Sequence, residues 1–168
     1  MKKILMIVAP TGFRDEELLE PKALFEEKGF QVMIASKDVK EAKGMLGARV
    51  RIDLDVSKAN AADFDAVVFV GGQGSPVYYD NAKAHEIARK AFENGKILAS
   101  ICLATGILAK AGLVSGKKVT GWPDVKGLVE AANGKYTGKD VEVDGRMITG
   151  KGPQAARAFG MKIVELLK

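Results

Sequence analysis

The chain contains one cysteine and one histidine among its 168 residues, so nucleophilic, redox or metal chemistry has few places to reside. Cys102 separates two patterns. Before it runs the apolar stretch KILASI (96–101), which reads as a buried strand; after it runs LATGILAKAG (103–112), which reads as a short helix closed by Gly112. A thiol at a strand-to-helix turn faces free backbone N–H groups and the positive end of the helix, and both favour the thiolate. The competing reading is a small buried hydrophobe, because unpaired cysteine is among the most buried residue types.

An acid is the natural helper for such a thiol. The loop APTGFRDEE (9–17) delivers Asp15, Glu16 and Glu17 into a helix start, where acids commonly oppose the helix dipole. Pro21 singles out Glu17. A proline inside a helix lacks the N–H that would bond the carbonyl four residues earlier and costs roughly 3 kcal/mol. The helix is therefore expected to kink at Glu17, and strain of this sort gathers at functional sites.

The glycine-rich turn Val70-Gly71-Gly72-Gln73-Gly74 follows an apolar strand. It lacks the G-x-G-x-x-G spacing, since Val77 stands where the motif would close, and it has no Gly-Lys-Ser/Thr, so a dinucleotide or phosphate loop is a poor fit. Gly71 and Gly72 serve either a plain turn or a tight one whose N–H groups point at the Cys102 sulfur or at an oxyanion. His85, inside NAKAHEIARKAFE (81–93), reads as a surface residue away from the strand tips. That removes the usual partner of a nucleophilic cysteine and any His-based metal site; no metal and no cofactor is expected.

The elements that must position these residues alternate along the chain. Strands are expected at 4–8, 31–35, 66–70 and 97–101, and helices at 15–28, 81–94, 103–111 and 153–167. Three of the strands are nearly continuous apolar runs, as in a parallel sheet covered on both faces. The order implies an α/β three-layer sandwich with a mostly parallel sheet, in one domain spanning 1–168. Residues 43–55 read as a small side hairpin or loop, and 140–143 with 147–149 flank the hairpin signal Asp144-Gly145. In open parallel sheets, ligands bind beyond the carboxyl ends of the strands, where the 9–17 loop, the glycine turn and the Cys102 turn should converge.

Composition excludes several classes. The net charge of +5 comes from lysines interleaved with acids, and only 7% of residues are aromatic, so there is neither a basic stripe nor a stacking platform for nucleic acid. MKKILMIVAP mimics a signal peptide, but its apolar run is short and no small-residue cleavage site follows, so it reads as the first strand. No stretch approaches a membrane-spanning length. A lone cysteine excludes an internal disulfide and suits a reducing cytoplasm. Plentiful Lys and Glu with scarce Asn and Gln is a bias seen in proteins of hot environments.

Four segments together resemble the ThiJ/PfpI superfamily over essentially the whole chain: KILMIVAPTGFRDEELLEP, VVFVGGQGSP, ILASICLATGILAKAGLVSGKKVT and MITGKGPQAARAFGMKIVELL. The resemblance implies a flavodoxin-like sandwich, usually dimeric or a higher homo-oligomer. It also implies a reactive cysteine at a nucleophile elbow beside an acid from the first βα loop. By position these are Cys102 and Glu17, with Gly72 and the N–H of Leu103 as the oxyanion donors. The departures are specific. Members named intracellular peptidases carry His directly after the cysteine and a Glu after the glycine turn, where this chain has Leu103 and Pro76. Another branch places a His before a later Pro, where this chain has Trp122. If Trp122 points inward, it would favour small or apolar ligands over extended peptides.

A Cys–Glu pair without His admits two chemistries on small partners. One is attack on a reactive carbonyl such as methylglyoxal, of the glyoxalase or deglycase type, with Glu17 moving the proton. The other is oxidation by peroxide to a sulfinic acid stabilised by Glu17, in a redox sensor or stress chaperone without turnover. A cysteine peptidase assembled across subunits, recruiting His85 from a neighbour, is a third reading. A member that has lost its ancestral activity is a fourth.

Overall fold

A strand without polar alternation must be covered on both faces, and the middle of the central sheet is built from such strands. The computed structural model describes residues 1–168. In chain order its strands are β1 (Lys3–Ile7), β2 (Thr11–Phe13), β3 (Gln31–Ser36), β4 (Glu41–Gly44), β5 (Arg49–Arg51), β6 (Leu54–Asp55), β7 (Ala66–Phe69), β8 (Ile97–Ile101), β9 (Lys118–Val119), β10 (Lys135–Tyr136), β11 (Val141–Asp144) and β12 (Met147–Gly150). The helices are α1 (Asp15–Glu27), α2 (Ala82–Glu93), α3 (Thr105–Lys110), α4 (Lys126–Ala131) and α5 (Ala156–Leu167).

Seven strands form the main sheet in the order β11-β12-β8-β7-β1-β3-β6, and only the β11–β12 pair is antiparallel. Side chains of β1 alternate between the two faces, as a strand requires. Ile4 and Met6 join Phe25, Phe159 and Ile163 under α1 and α5, while Leu5 and Ile7 join Ile87 and Ile107 under α2 and α3. Each such large apolar side chain, once buried, contributes about 1.5–3 kcal/mol. The three-layer α/β architecture with a mostly parallel sheet is the one expected from the sequence.

Some details differ. Residues 43–55 do form a hairpin, β4 with β5, but β2 pairs parallel to β4 and makes it a separate three-stranded sheet, after which β6 returns to the main sheet. The expected helix at 103–111 is a 3-10 turn at Cys102–Ala104 followed by the shorter α3. Helix α4 and strands β2, β6, β9 and β10 lie outside the sequence expectation because each is too short to show periodicity. Helix α1 runs from Asp15 to Glu27 through the buried Pro21. At Gly160 of α5 an added Cβ would stand 3.0 Å from the Pro21 Cα, so the proline lies in close contact between α1 and α5.

Asp15 ties the small sheet to α1. Its carboxylate, almost wholly buried, accepts the N–H groups of Leu46 (3.0 Å) and Ala48 (2.8 Å) in the β4–β5 loop. Asp15→Ala leaves both donors without that partner and is expected to cost about 1–3 kcal/mol. Urea denaturation would show this as a lower midpoint, whereas an unchanged midpoint would mean the loop holds without Asp15.

Candidate functional site

Parallel register brings the three loops together. Ile7 pairs with Phe69 and Phe69 with Ser100, so β1, β7 and β8 end level with one another. The turn after β8 is sharp: Cys102 has φ +61°, a left-handed conformation uncommon outside glycine and costing of order 1–3 kcal/mol. Surrounding bonds hold it there. The Cys102 carbonyl accepts the Trp122 N–H at 3.2 Å, the Tyr79 hydroxyl donates to the Leu103 carbonyl at 2.7 Å, and the hydroxyls of Ser100 and Thr105 share a buried bond of 2.8 Å. Nothing in the sequence marked Tyr79, Ser100 or Thr105, because their partners come from other elements or the far side of the turn.

The three acids of the α1 start diverge, since successive helical residues are rotated by roughly 100°. Asp15 turns to the β4–β5 loop. Glu16 pairs side-on with Arg14, whose Nε and Nη2 donate at 3.2 and 3.0 Å. Glu17 turns inward with no exposed surface, and neither carboxyl oxygen has a hydrogen-bonded partner. The groups that face it are the Cys102 thiol and the backbone of Gly71.

Two glycines make room for that placement. A Cβ on Gly71 would collide with Glu17 Oε1 and come within 2.6 Å of Cys102 Cβ. Gly72 has φ +118°, and a Cβ there would strike the Arg14 N–H and the Gly12 carbonyl. The turn is thus closed against both the pair and β2, which explains the glycines without any phosphate-binding role.

Burial sets the electrostatics. It pushes the Glu17 carboxyl up to about 8, with the neighbouring thiol opposing the shift. Burial, and then the charge of Glu17, push the Cys102 thiol up to about 12, against the lowering effect of the Leu103 and Gly72 N–H groups. The thiolate-favouring helix start expected from the sequence is therefore outweighed: Cys102 is only 7% exposed and the following helix is short. Near neutrality both groups keep their protons; the Glu17 carboxyl gives up its proton first, and its charge then holds the thiol proton in place, so the two titrations are coupled.

Cys102 opens into a cleft of about 190 Å³ lined by Arg14, Met45, Gly72, Gln73, Leu103, Trp122 and Pro153. Trp122 is 40% exposed and its ring packs against Gly152, so it forms a wall of the mouth and does not plug it. Leu103 is half-buried, and Pro76 is exposed in the 3-10 turn Ser75–Tyr78. His85 is partly buried, more than a plain surface residue, and its Nε2 lies 2.7 Å from the Tyr79 carbonyl, so it is absent from this cleft. No three His, Cys, Asp or Glu side chains are placed to share a metal ion. No helix is long and apolar enough to cross a membrane. Arg14 and Met45 line the cleft without any sequence signal having singled them out.

The sequence model of the DJ-1/PfpI family matches residues 2–166. The chain is 37% identical to a deglycase of Pyrococcus horikoshii, over 99% of both proteins. It is 38% identical to an uncharacterised protein of Methanocaldococcus jannaschii, over 99% of this chain and 82% of that one. Among solved structures, a ThiJ/PfpI domain protein from Brachyspira murdochii superposes with a TM-score of 0.95 at 33% identity, covering 98% of this chain and 95% of the other.

The raised Glu17 carboxyl makes stability depend on pH with a definite sign. The folded protein keeps a proton that the unfolded chain releases near 4.5, up to about pH 8. Stability is therefore greatest below the unfolded value and falls as pH rises to about 8, by at most about 1.4 kcal/mol per unit. Glu17→Gln keeps the neutral shape and removes this contribution. Unfolding free energies at pH 5, 6.5 and 8 should diverge in favour of the variant as pH rises; parallel curves would show that Glu17 is ionised in the native state.

Proposed function

Because the chain belongs to the DJ-1/PfpI family, we propose that it is a cofactor-free enzyme acting on small 2-oxoaldehydes through Cys102 and Glu17. The observation that carries this reading is the unpartnered, fully buried Glu17 carboxyl facing the one thiol of the chain at a strained turn. The small cleft agrees with it, being below the size of ordinary drug-like ligand sites. The deglycase name of a relative lies in the same chemical neighbourhood.

The chemistry balances without an oxidant. Sγ bonds to the aldehyde carbon of methylglyoxal, and the proton of the pair passes to the former aldehyde oxygen, giving a hemithioacetal. The N–H groups of Gly72 and Leu103 are the donors for the developing oxyanion. Glu17, ionised once it has handed on that proton, takes the C1 proton and returns it at C2 while the C1 hydroxyl proton moves to the C2 oxygen, producing a lactoyl thioester. Water then releases lactate and restores the thiol.

A second reading has its own observation. The buried, protonated Glu17 carboxyl is placed to donate its O–H to a cysteine sulfinate, formed when two equivalents of peroxide each deliver one oxygen to the sulfur and leave as water. Proteolysis has the least support: Leu103 and Pro76 supply no acid or base, and His85 is engaged by Tyr79.

Lactate formation from methylglyoxal should be measurable in the wild type. It should vanish in Cys102→Ala and fall at least about 100-fold in Glu17→Gln, the scale of a lost acid–base group. A wild type without turnover would sink the enzymatic reading; two added oxygens on Cys102 after mild peroxide, diminished by Glu17→Ala, would then favour the sensor. Iodoacetamide kinetics report the pair itself. Alkylation should set in at lower pH in Glu17→Gln than in the wild type, because the variant lacks the charge that opposes the thiolate and leaves burial alone acting on it. Superimposable profiles would show that Glu17 does not act on the thiol.

A further inference from the structure

The cleft at Cys102 continues into a larger one of about 680 Å³. Arg14, Trp122 and Pro153 line both, and Lys151, Asp140 and Glu16 are the other charged groups of the outer one. Lys151 follows β12, whose Gly150 pairs with Ile101, so the lysine is adjacent to the Cys102 turn by register. A molecule with its carbonyl at Sγ therefore extends past Trp122 between Arg14 and Lys151.

The charges of the outer cleft are not equivalent. Glu16 is consumed by Arg14, which meets it along the Nε–Nη2 edge. A guanidinium has five N–H donors, and this pairing leaves the Nη1 side free, the geometry that holds a carboxylate or phosphate with two parallel bonds. Lys151 makes no ion pair, and neither does Asp140, which leaves two cations with free donors against one free carboxylate. The net charge of +5 adds a field that draws anions.

We propose that the outer cleft is a binding subsite for an anionic group of the substrate, a carboxylate or phosphate held by the free edge of Arg14 and by Lys151. The reacting compound is then a reactive carbonyl carrying an acidic tail, with Trp122 packed along the carbon chain between the two. This assignment rests on the reading of Cys102 as the site of carbonyl attack, but the subsite itself can be tested without turnover.

The test is protection of Cys102 from iodoacetamide in the full-length protein, each variant normalised to its own unprotected rate. The probes are 4-oxopentanoate, its methyl ester and inorganic phosphate, all at matched ionic strength. The acid should slow alkylation at least threefold at a concentration where the ester has no effect. Arg14→Gln and Lys151→Gln should each abolish that difference, and Arg14→Lys, which keeps the charge but loses the fork, should retain less than half of it. Protection by 4-oxopentanoate alone assigns a carboxylate tail and protection by phosphate alone a phosphorylated one. Equal protection by acid and ester, protection by neither anion, or an undiminished difference in both Gln variants overturns the subsite. A missing glyoxalase activity would leave this result standing, and absent protection would leave that activity standing.

Discussion

A carboxyl group with no exposed surface, no ion pair and no hydrogen bond in place can exist only by keeping a proton or sharing one, and Glu17 is such a group. Much of the surrounding structure is arranged around that constraint. Gly71 must lack a side chain because the carboxyl and Cys102 occupy the space a Cβ would need. Gly72 must bend the chain away at positive φ because β2 runs directly behind it. The level ends of β1, β7 and β8 bring acid and thiol to one point from residues 85 positions apart in the chain.

The first turn of α1 divides the local charge among three environments. Asp15 is spent on backbone donors of the β4–β5 loop, Glu16 on Arg14, and Glu17 on the thiol. Mutual support follows: Asp15 fixes the small sheet, Arg14 bonds through its N–H to the Gly71 carbonyl at 2.8 Å, and the glycine turn is thereby pressed against the pair. The Glu17–Cys102 pair is buried, while the outer cleft, one residue away along the helix, is lined by the charged groups Arg14, Glu16, Asp140 and Lys151. Trp122 is the wall between them.

The elbow shows how backbone strain is retained. A left-handed cysteine persists because the peptide groups and hydroxyls around it have partners elsewhere: Trp122 N–H, the Tyr79 hydroxyl and the Ser100–Thr105 bond. Tyr79 in turn presents its own carbonyl to His85, so the single histidine supports the turn at second hand and does not touch the thiol. Proton handling at Cys102 is left to Glu17 and to backbone N–H groups.

Much of this was legible in the residues themselves. Continuous apolar runs identify strands buried on both faces, Asp144-Gly145 marks the β11–β12 hairpin, and a cysteine between strand and helix marks the sharp turn, because each signal depends on neighbours in sequence. The proline that singled out Glu17 has a packing reason of its own, the close approach of Pro21 to Gly160, a contact between helices far apart in the chain. What the tertiary structure alone decided is the environment of the chosen groups. The sequence suggested a thiol eased towards ionisation; burial, and then the charge Glu17 acquires on ionising, make it a thiol that resists ionisation. Asp15, Arg14, Tyr79 and Trp122 acquire their roles only when loops from four strand ends meet. Local pattern fixes an element and its exposed face, but burial, charge coupling and the shape of a cleft are properties of what packs against it from elsewhere.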